Sequence, residues 1–185
     1  MLPSRKEAFE LLCSYTTKPG LIKHALAVEA IMRGYAKRFG EDEEFFGIVG
    51  LLHDFDYERW PSEADHPFRG AEILRDRGYP EEIIRAVLSH ADSTGVERQS
   101  KLEHALFASD ELAGFLVACA LVTSSKKLEA VTPGFALKRL KEKGFARAVN
   151  RQDVQRGAQE LDLPLEEHVQ NALEFLLPVA IELGL

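Results

Sequence analysis

Four ionisable residues of this chain have the side-chain types of metal ligands: His24, the adjacent pair His53 and Asp54, and Asp110. Imidazole nitrogen and carboxylate oxygen, without a thiolate, suit Mn, Fe, Co, Ni or Zn. A buried carboxylate needs a cation or strong hydrogen-bond donors, and a divalent ion would supply that compensation. Any one of these residues alone is more often a hydrogen-bonded core residue. The four together predict a mononuclear metal site.

Two further histidines predict a second metal position next to the first. His66 stands at the cap position before Pro67 and therefore projects from a loop, whereas His90 continues the apolar stripe of its predicted helix. Asp54 would then be the carboxylate that bridges two ions. His66 is also explained as a plain N-cap, so the sequence leaves one ion or two ions open.

The two remaining histidines are not predicted to be ligands. His104 is six residues before Asp110, which places it about 120° away around the same helix. His168 lies next to apolar residues at helical spacing, which favours a packing role.

The elements that must position these side chains are predicted to be helices. Helical periodicity with start and stop signals recurs along the chain, and no alternating run predicts a strand, so the predicted fold class is all-α. The predicted helices run from Ser4 to Tyr15, Pro19 to Gly40, Glu41 to about Asp54, Pro67 to Gly78, Pro80 to about Ala91, Lys101 to about Val122 and Pro133 to Gly144, and two more begin at Asn150 and Pro164.

Within these helices the candidate ligands lie on faces that should be buried. His24 shares a face with apolar residues at three-and-four spacing, and Asp110 is ringed by apolar residues. Neighbouring helical residues diverge by about 100°, so the pair His53 and Asp54 converges on one point most easily at a helix end. The sequence places the pair at such an end.

Composition is that of an ordinary soluble protein and predicts a cytoplasmic location. The chain has 185 residues, enough for one domain, with 45% hydrophobic and 29% charged residues. Cys13 and Cys119 have no CxxC-type spacing, and the start lacks the apolar stretch of a signal peptide. The apolar tail 175–185 is too short to span a bilayer. The net charge of −7 discourages binding to nucleic acid or anionic membrane.

The order His24, His53-Asp54, Asp110 resembles the signature of the HD-domain superfamily of metal-dependent phosphohydrolases. The segments 66–71 (HPFRGA) and 89–92 (SHAD) strengthen a resemblance that covers roughly residues 20–120. It implies a single-domain helical bundle of the HD-domain type over 1–185, with a metal-binding core at about 20–120 and extra C-terminal helices at about 121–185.

The six-residue order that includes His66 and His90 is similar to the dinuclear branches of that superfamily. These comprise cyclic-dinucleotide phosphodiesterases, dinucleoside-polyphosphate hydrolases and a few diiron oxygenases. The chain departs from the cyclic-dinucleotide type, because His53-Asp54-Phe55-Asp56-Tyr57 lacks an Ile-Gly-Lys continuation and position 90 has no double His.

The resemblance implies hydrolysis of a phosphate ester or anhydride, in a nucleotide or dinucleoside polyphosphate, with one or two divalent ions. Asp54 is the predicted catalytic carboxylate. Asp56 and Glu58, which follow it closely, and Asp92, which follows His90, are candidate proton donors by proximity alone, and solvated loop carboxylates are the favoured interpretation of each.

Four basic residues are candidate contacts to a small phosphorylated substrate. Arg59 and Arg69 lie close enough to the ligands in sequence to contact phosphate, and a surface role explains both equally. Lys138 and Lys141 belong to the segment 126–151, whose net charge of +6 predicts either a lid over the metal site or a solvated helix face.

Two other function classes remain open: a diiron oxygenase, and a non-catalytic nucleotide- or protein-binding module that keeps its metal for stability. The sequence does not determine the oligomeric state.

Overall fold

Caps and stop signals in the sequence define most of the helices. In the computed structural model, which describes residues 2–185, Ser4 and Ser100 each form a capping box with the glutamate three residues on. Asp42 and Asn150 accept hydrogen bonds from the first backbone N–H groups of their helices. Gly40, at φ +69°, ends the second helix.

The structure confirms the all-α fold, and the described residues contain no strand. Short 3₁₀ segments occupy Asp92–Thr94, Leu128–Ala130 and Leu177–Val179. The α-helices are α1 (Arg5–Tyr15), α2 (Pro19–Phe39), α3 (Glu43–Leu52), α4 (Phe68–Asp76), α5 (Glu81–Ser89), α6 (Lys101–Leu121), α7 (Pro133–Leu140), α8 (Arg151–Glu160), α9 (Leu165–Leu176) and α10 (Ala180–Leu183).

The long helices α2 and α6 form the centre of the molecule. Helix α2 packs against α3, α6 and α9, and α6 also packs against α8. Glycines permit two of these close approaches. A Cβ at Gly50 of α3 would lie 3.0 Å from the backbone of Glu29 in α2, and a Cβ at Gly157 of α8 would lie 2.6 Å from the Cα of Ala108 in α6. Backbones therefore meet where a larger residue would separate the helices.

Helix α6 is long and apolar enough to cross a bilayer by length and composition, the one such helix in residues 2–185. However, 61% of its most apolar window is buried inside the protein. Its apolar character is therefore used for packing against α2, α8 and α9, as in the core helix of a globular protein.

Helix α7 is shorter than predicted and ends at Leu140 rather than at Gly144. The reason is a side chain outside the helix. The Arg151 guanidinium donates to four carbonyls, two of which, those of Leu140 and Glu142, a helix extended to Gly144 would contain. These carbonyls belong to Leu140, Glu142, Phe145 and Val149.

Candidate metal centre

Three helices bring the four predicted ligands to one point. His24 lies on α2, Asp110 on α6, and His53 and Asp54 at the end of α3. The Nε2 atom of His24 is 2.9 Å from Oδ1 of Asp110 and 3.3 Å from Nε2 of His53. His53 Nε2 is in turn 3.5 Å from Oδ1 of Asp110 and 3.6 Å from Oδ2 of Asp54. One ligand atom from each of the four lies within 4.8 Å of the others, which defines cluster one.

A second cluster forms on the other side of Asp54. Its Oδ1 atom is 3.1 Å from Nε2 of His66 and 3.3 Å from Nε2 of His90, and these atoms also lie within 4.8 Å of one another. His66 stands in the turn before α4, and Pro67 rather than His66 is the N-cap of that helix, which corrects the predicted cap by one residue. The two oxygens of Asp54 thus face different clusters.

The hydrogen bonds at the far side of each ring test whether these imidazoles suit a metal. His53 Nδ1 lies 2.7 Å from the carbonyl oxygen of Gly50, and His90 Nδ1 contacts the carbonyl oxygen of Val87. A carbonyl oxygen only accepts, so Nδ1 carries the hydrogen and Nε2 of the neutral ring presents a lone pair to the cluster. Carbonyl and carboxylate partners on the second nitrogen are usual for metal-binding histidines. The donor set therefore fits divalent ions.

Both of these imidazole rings lie at the C-terminal end of a helix. His53 and His90 are the C-cap residues of α3 and α5, and each binds the carbonyl three residues before it. The last carbonyls of a helix have no intrahelical partner, so a C-cap imidazole both satisfies one of them and fixes its own orientation. The same local geometry therefore places one ring in each cluster.

The electrostatics of the two clusters favour bound positive charge. Burial lowers the pKa of His53, His66 and His90, but the neighbouring carboxylates outweigh it and raise the pKa of all three, that of His66 to about 10. Burial raises the pKa of Asp54 and Asp110, yet the surrounding imidazoles hold both well below the usual value. Such a site stabilises a cation.

The clusters lie in a cleft of about 840 Å³. His53 is fully buried, whereas Asp54 and Asp110 are about one-quarter exposed or slightly less, so solvent reaches the clusters from one side. The cleft is lined by Leu21, His24, Asp54, Tyr57, Pro61, Glu63, His66, His90, Ala91, Asp92, Ser93, Phe107, Asp110, Glu111, Gly114, Asn150, Gln152, Asp153 and Arg156.

The predicted proton donor Asp56 has a different position from the one expected. It is fully buried, and its carboxylate accepts from His66 Nδ1 at 2.8 Å and from the Gly70 amide at 2.7 Å. Both oxygens are thus engaged away from the cleft. The prediction of a solvent-facing acid is corrected: Asp56 orients a candidate ligand.

Glu58 also lies outside the cleft lining. Its carboxylate accepts from the backbone N–H groups of Thr17 and Lys18 and from the Thr17 hydroxyl at 2.8–2.9 Å. These hydrogen bonds, with those to the backbone largest, lower the pKa of Glu58. A carboxylate committed to the start of α2 is unsuited to donate a proton in the cleft, so this prediction is corrected too.

The four basic residues predicted to contact substrate do not line the cleft in residues 2–185. Arg59 stacks over Tyr15 and donates to the Ser14 carbonyl. Arg69 pairs with Asp65, in the turn before α4, and with Glu72 of α4. Lys138 and Lys141 are exposed on and just after α7, as the solvated helix face predicts.

Sequence reasoning missed the contribution of α8 to the cleft. Asn150, Gln152, Asp153 and Arg156 all line it, and Asp92, considered only as an acid, pairs there with Arg156. No local signal marks these residues, because their position depends on α8 packing along α6. The nearest clue is Gly157, whose small size permits that packing.

Comparison with known proteins adds one match. The model of the HD-domain family matches residues 21–114, a span that includes every residue of both clusters and ends before α7. No solved structure matches the chain.

Proposed function

The chain belongs to the HD-domain family, and on that premise we propose that it is a metal-dependent phosphohydrolase acting on a phosphate ester or anhydride. Members of this family are generally metal-dependent hydrolases, and HD domains bind divalent metals. The observation that carries the proposal is the pair of His/Asp clusters that share Asp54 and open into one cleft.

Cluster one, His24, His53, Asp54 and Asp110, would hold one divalent ion, and Asp54 with His66 and His90 would hold a second. When bound, such ions lower the pKa of a coordinated water and withdraw charge from phosphoryl oxygens.

The chain itself holds and orients the side chains of the candidate ligands. Carbonyl oxygens of Gly50 and Val87 fix two rings, and buried Asp56 fixes the ring of His66. Rigid ligands of this kind need little rearrangement when charge develops at the reacting group.

We propose small phosphorylated molecules as substrates, with nucleotides and dinucleoside polyphosphates as the first compounds to test. A volume of about 840 Å³ lies within the range of small-molecule sites. The net charge of −7 supports a small substrate rather than a nucleic acid.

The test measures phosphate release separately with each metal ion. The protein is stripped with chelator, Mn, Fe, Co, Ni, Mg or Zn is restored singly, and phosphate release from these compounds is measured. Asp54→Ala should abolish metal-dependent release, because Asp54 belongs to both clusters. Asp65→Ala, on the nearby exposed loop, should retain it. Stoichiometric metal without release from any phosphorylated compound would contradict the proposal.

A dinuclear iron oxygenase is the second candidate, because it needs the same two metal positions. His66 and His90 both approach Asp54 on the side opposite cluster one, which gives six candidate ligands rather than four. Metal analysis of the isolated protein and an optical spectrum under air distinguish the two. Zinc or manganese without iron would exclude the oxygenase.

A further inference from the structure

The cleft has an unusual balance of charge for a site proposed to bind phosphate. Six carboxylates line it, Asp54, Glu63, Asp92, Asp110, Glu111 and Asp153, whereas the lining residues within 2–185 include one arginine and no lysine. That arginine is Arg156. It comes from α8, beyond the span that the family model matches.

Contacts to three carboxylates and one aromatic ring hold Arg156 in place, the longest of them from Nε to Oε1 of Glu160 at 3.8 Å. Its Nη2 atom is 2.5 Å from Oδ2 of Asp92 and 3.0 Å from Oδ1 of Asp153, and its guanidinium carbon is 4.4 Å from the centre of the Phe107 ring. The described chain gives Nη1 no hydrogen-bond partner. The guanidinium is therefore preorganised, and one amino group remains available to a ligand.

The neighbours of Arg156 place it close to cluster one. Phe107, over which it stacks, is three residues before Asp110, and residues at that spacing are adjacent on a helix face. The next residue, Gly157, lies directly against Ala108 of the same turn of α6. Arg156 therefore faces the same turn of α6 that carries the Asp110 ligand.

We propose that Arg156 binds the phosphoryl group of the substrate through Nη1, and that the carboxylates around it disfavour substrates with more than one phosphoryl group, which narrows the proposed function to phosphate monoesters. This inference rests on the proposed function. Two divalent ions and Arg156 supply five positive charges against six carboxylates, so the loaded cleft keeps a net charge of −1. Each additional phosphoryl group brings further negative charge next to these carboxylates, of which Asp92 is also paired with Arg98.

Arg98 is a matched control for the structural role of Arg156. It also stacks over Phe107, at 3.8 Å, and it also pairs with Asp92 and Glu160. However, it lines only the neighbouring groove, whereas Arg156 lines both that groove and the cleft. Loss of either arginine disturbs the same network, but only Arg156 is available to a ligand in the cleft.

The experiment measures binding and turnover in metal-loaded protein. Inorganic phosphate binding is measured by calorimetry, and kcat and KM are measured for the mono-, di- and triphosphate of one nucleoside. Arg156→Gln should weaken phosphate binding and raise KM about 10- to 100-fold, the usual effect of losing a hydrogen bond to a charged group. Arg98→Gln should change both by less than about threefold, and Arg156→Lys should recover part of the loss. Wild-type kcat/KM should favour the monophosphate.

Equal losses of phosphate binding in Arg156→Gln and Arg98→Gln, with both proteins folded by circular dichroism, would overturn the assignment of Arg156. A triphosphate used as well as the monophosphate would overturn the charge limit. A failure of the proposed function would give a different result from a failure of the Arg156 proposal. If no phosphorylated compound is hydrolysed but phosphate binding still depends on Arg156 and not on Arg98, the anion site stands without the hydrolase.

Discussion

Asp56 shows how a single buried carboxylate can determine the geometry of a metal ligand. It accepts from His66 on one side and from the Gly70 amide at the start of α4 on the other. An asparagine has the same shape, but it has only one accepting oxygen. Its NH₂ group would meet one of these two donors, so His66 would lose its fixed orientation.

Asp56→Asn should therefore weaken metal binding at the second cluster. We expect a loss of about 10- to 100-fold in affinity there, the usual effect of removing a partner of a ligand. Cluster one does not include His66 and should keep its affinity. A calorimetric titration of stripped protein resolves the two sites. Asp65→Asn, whose carboxylate is partly exposed and pairs with Arg69, is the control. Equal affinities in wild type and Asp56→Asn would show that the carboxylate has no role at the site.

The sequence was sufficient to find the candidate ligands but not the roles of nearby acids. A histidine or aspartate on an apolar helix face stands out, because its burial needs a reason. Asp56 and Glu58 stand close to Asp54 in the chain, yet their partners are 10 to 41 residues away. Proximity in sequence therefore did not indicate the direction in which these carboxylates point.

At the scale of elements, helix starts were predictable and one helix end was not. Starts depend on local caps such as Ser4, Ser100 and Asn150, which the sequence displays directly. The end of α7 depends on Arg151, which binds carbonyls as far as eleven residues before it. The docking of α8 on α6, which brings Arg156 into the cleft, is likewise a tertiary contact without a local signal.

Gly157→Ala tests that docking. The new Cβ would lie 2.6 Å from the Cα of Ala108, a backbone atom that has little freedom to move, so α8 must shift away from α6. We expect the free energy of unfolding to fall by about 1–3 kcal/mol, as for other overpacked sites. Chemical denaturation followed by circular dichroism measures it.

Gly134→Ala, in α7, is the matched control for that substitution. Nothing lies within 4 Å of its added Cβ, so it should leave stability unchanged or raise it by up to about 1 kcal/mol. Equal effects of the two substitutions would show that α8 does not depend on the close approach at Gly157.

At the scale of the whole molecule, His168 connects the C-terminal helices to the centre. This fully buried residue of α9 donates from Nε2 to the Ala108 carbonyl of α6 and accepts at Nδ1 from the Tyr35 hydroxyl of α2. With the Tyr35 hydroxyl as the donor, both hydrogen bonds need the neutral imidazole. Burial raises the pKa of Tyr35, so the facing group stays uncharged as well. The junction of α2, α6 and α9 therefore contains a buried histidine whose hydrogen bonds, in this arrangement, require the neutral ring.

This requirement predicts that the protein loses stability in acid. Burial lowers the pKa of His168 to about 4, although the Ala108 carbonyl partly offsets it. An unfolded histidine has a pKa of about 6.5, so between pH 6.5 and 4 the unfolded chain binds more protons than the folded one. The contribution of His168 is fully present above pH 6.5 and declines by about 3 kcal/mol as the pH falls to 4.

Unfolding free energies of metal-free protein, measured from pH 7 to 4, give the slope of stability against pH. His168→Gln should be less stable at pH 7 but should have a shallower slope. The same slope in wild type and His168→Gln would show that acid acts elsewhere in the molecule.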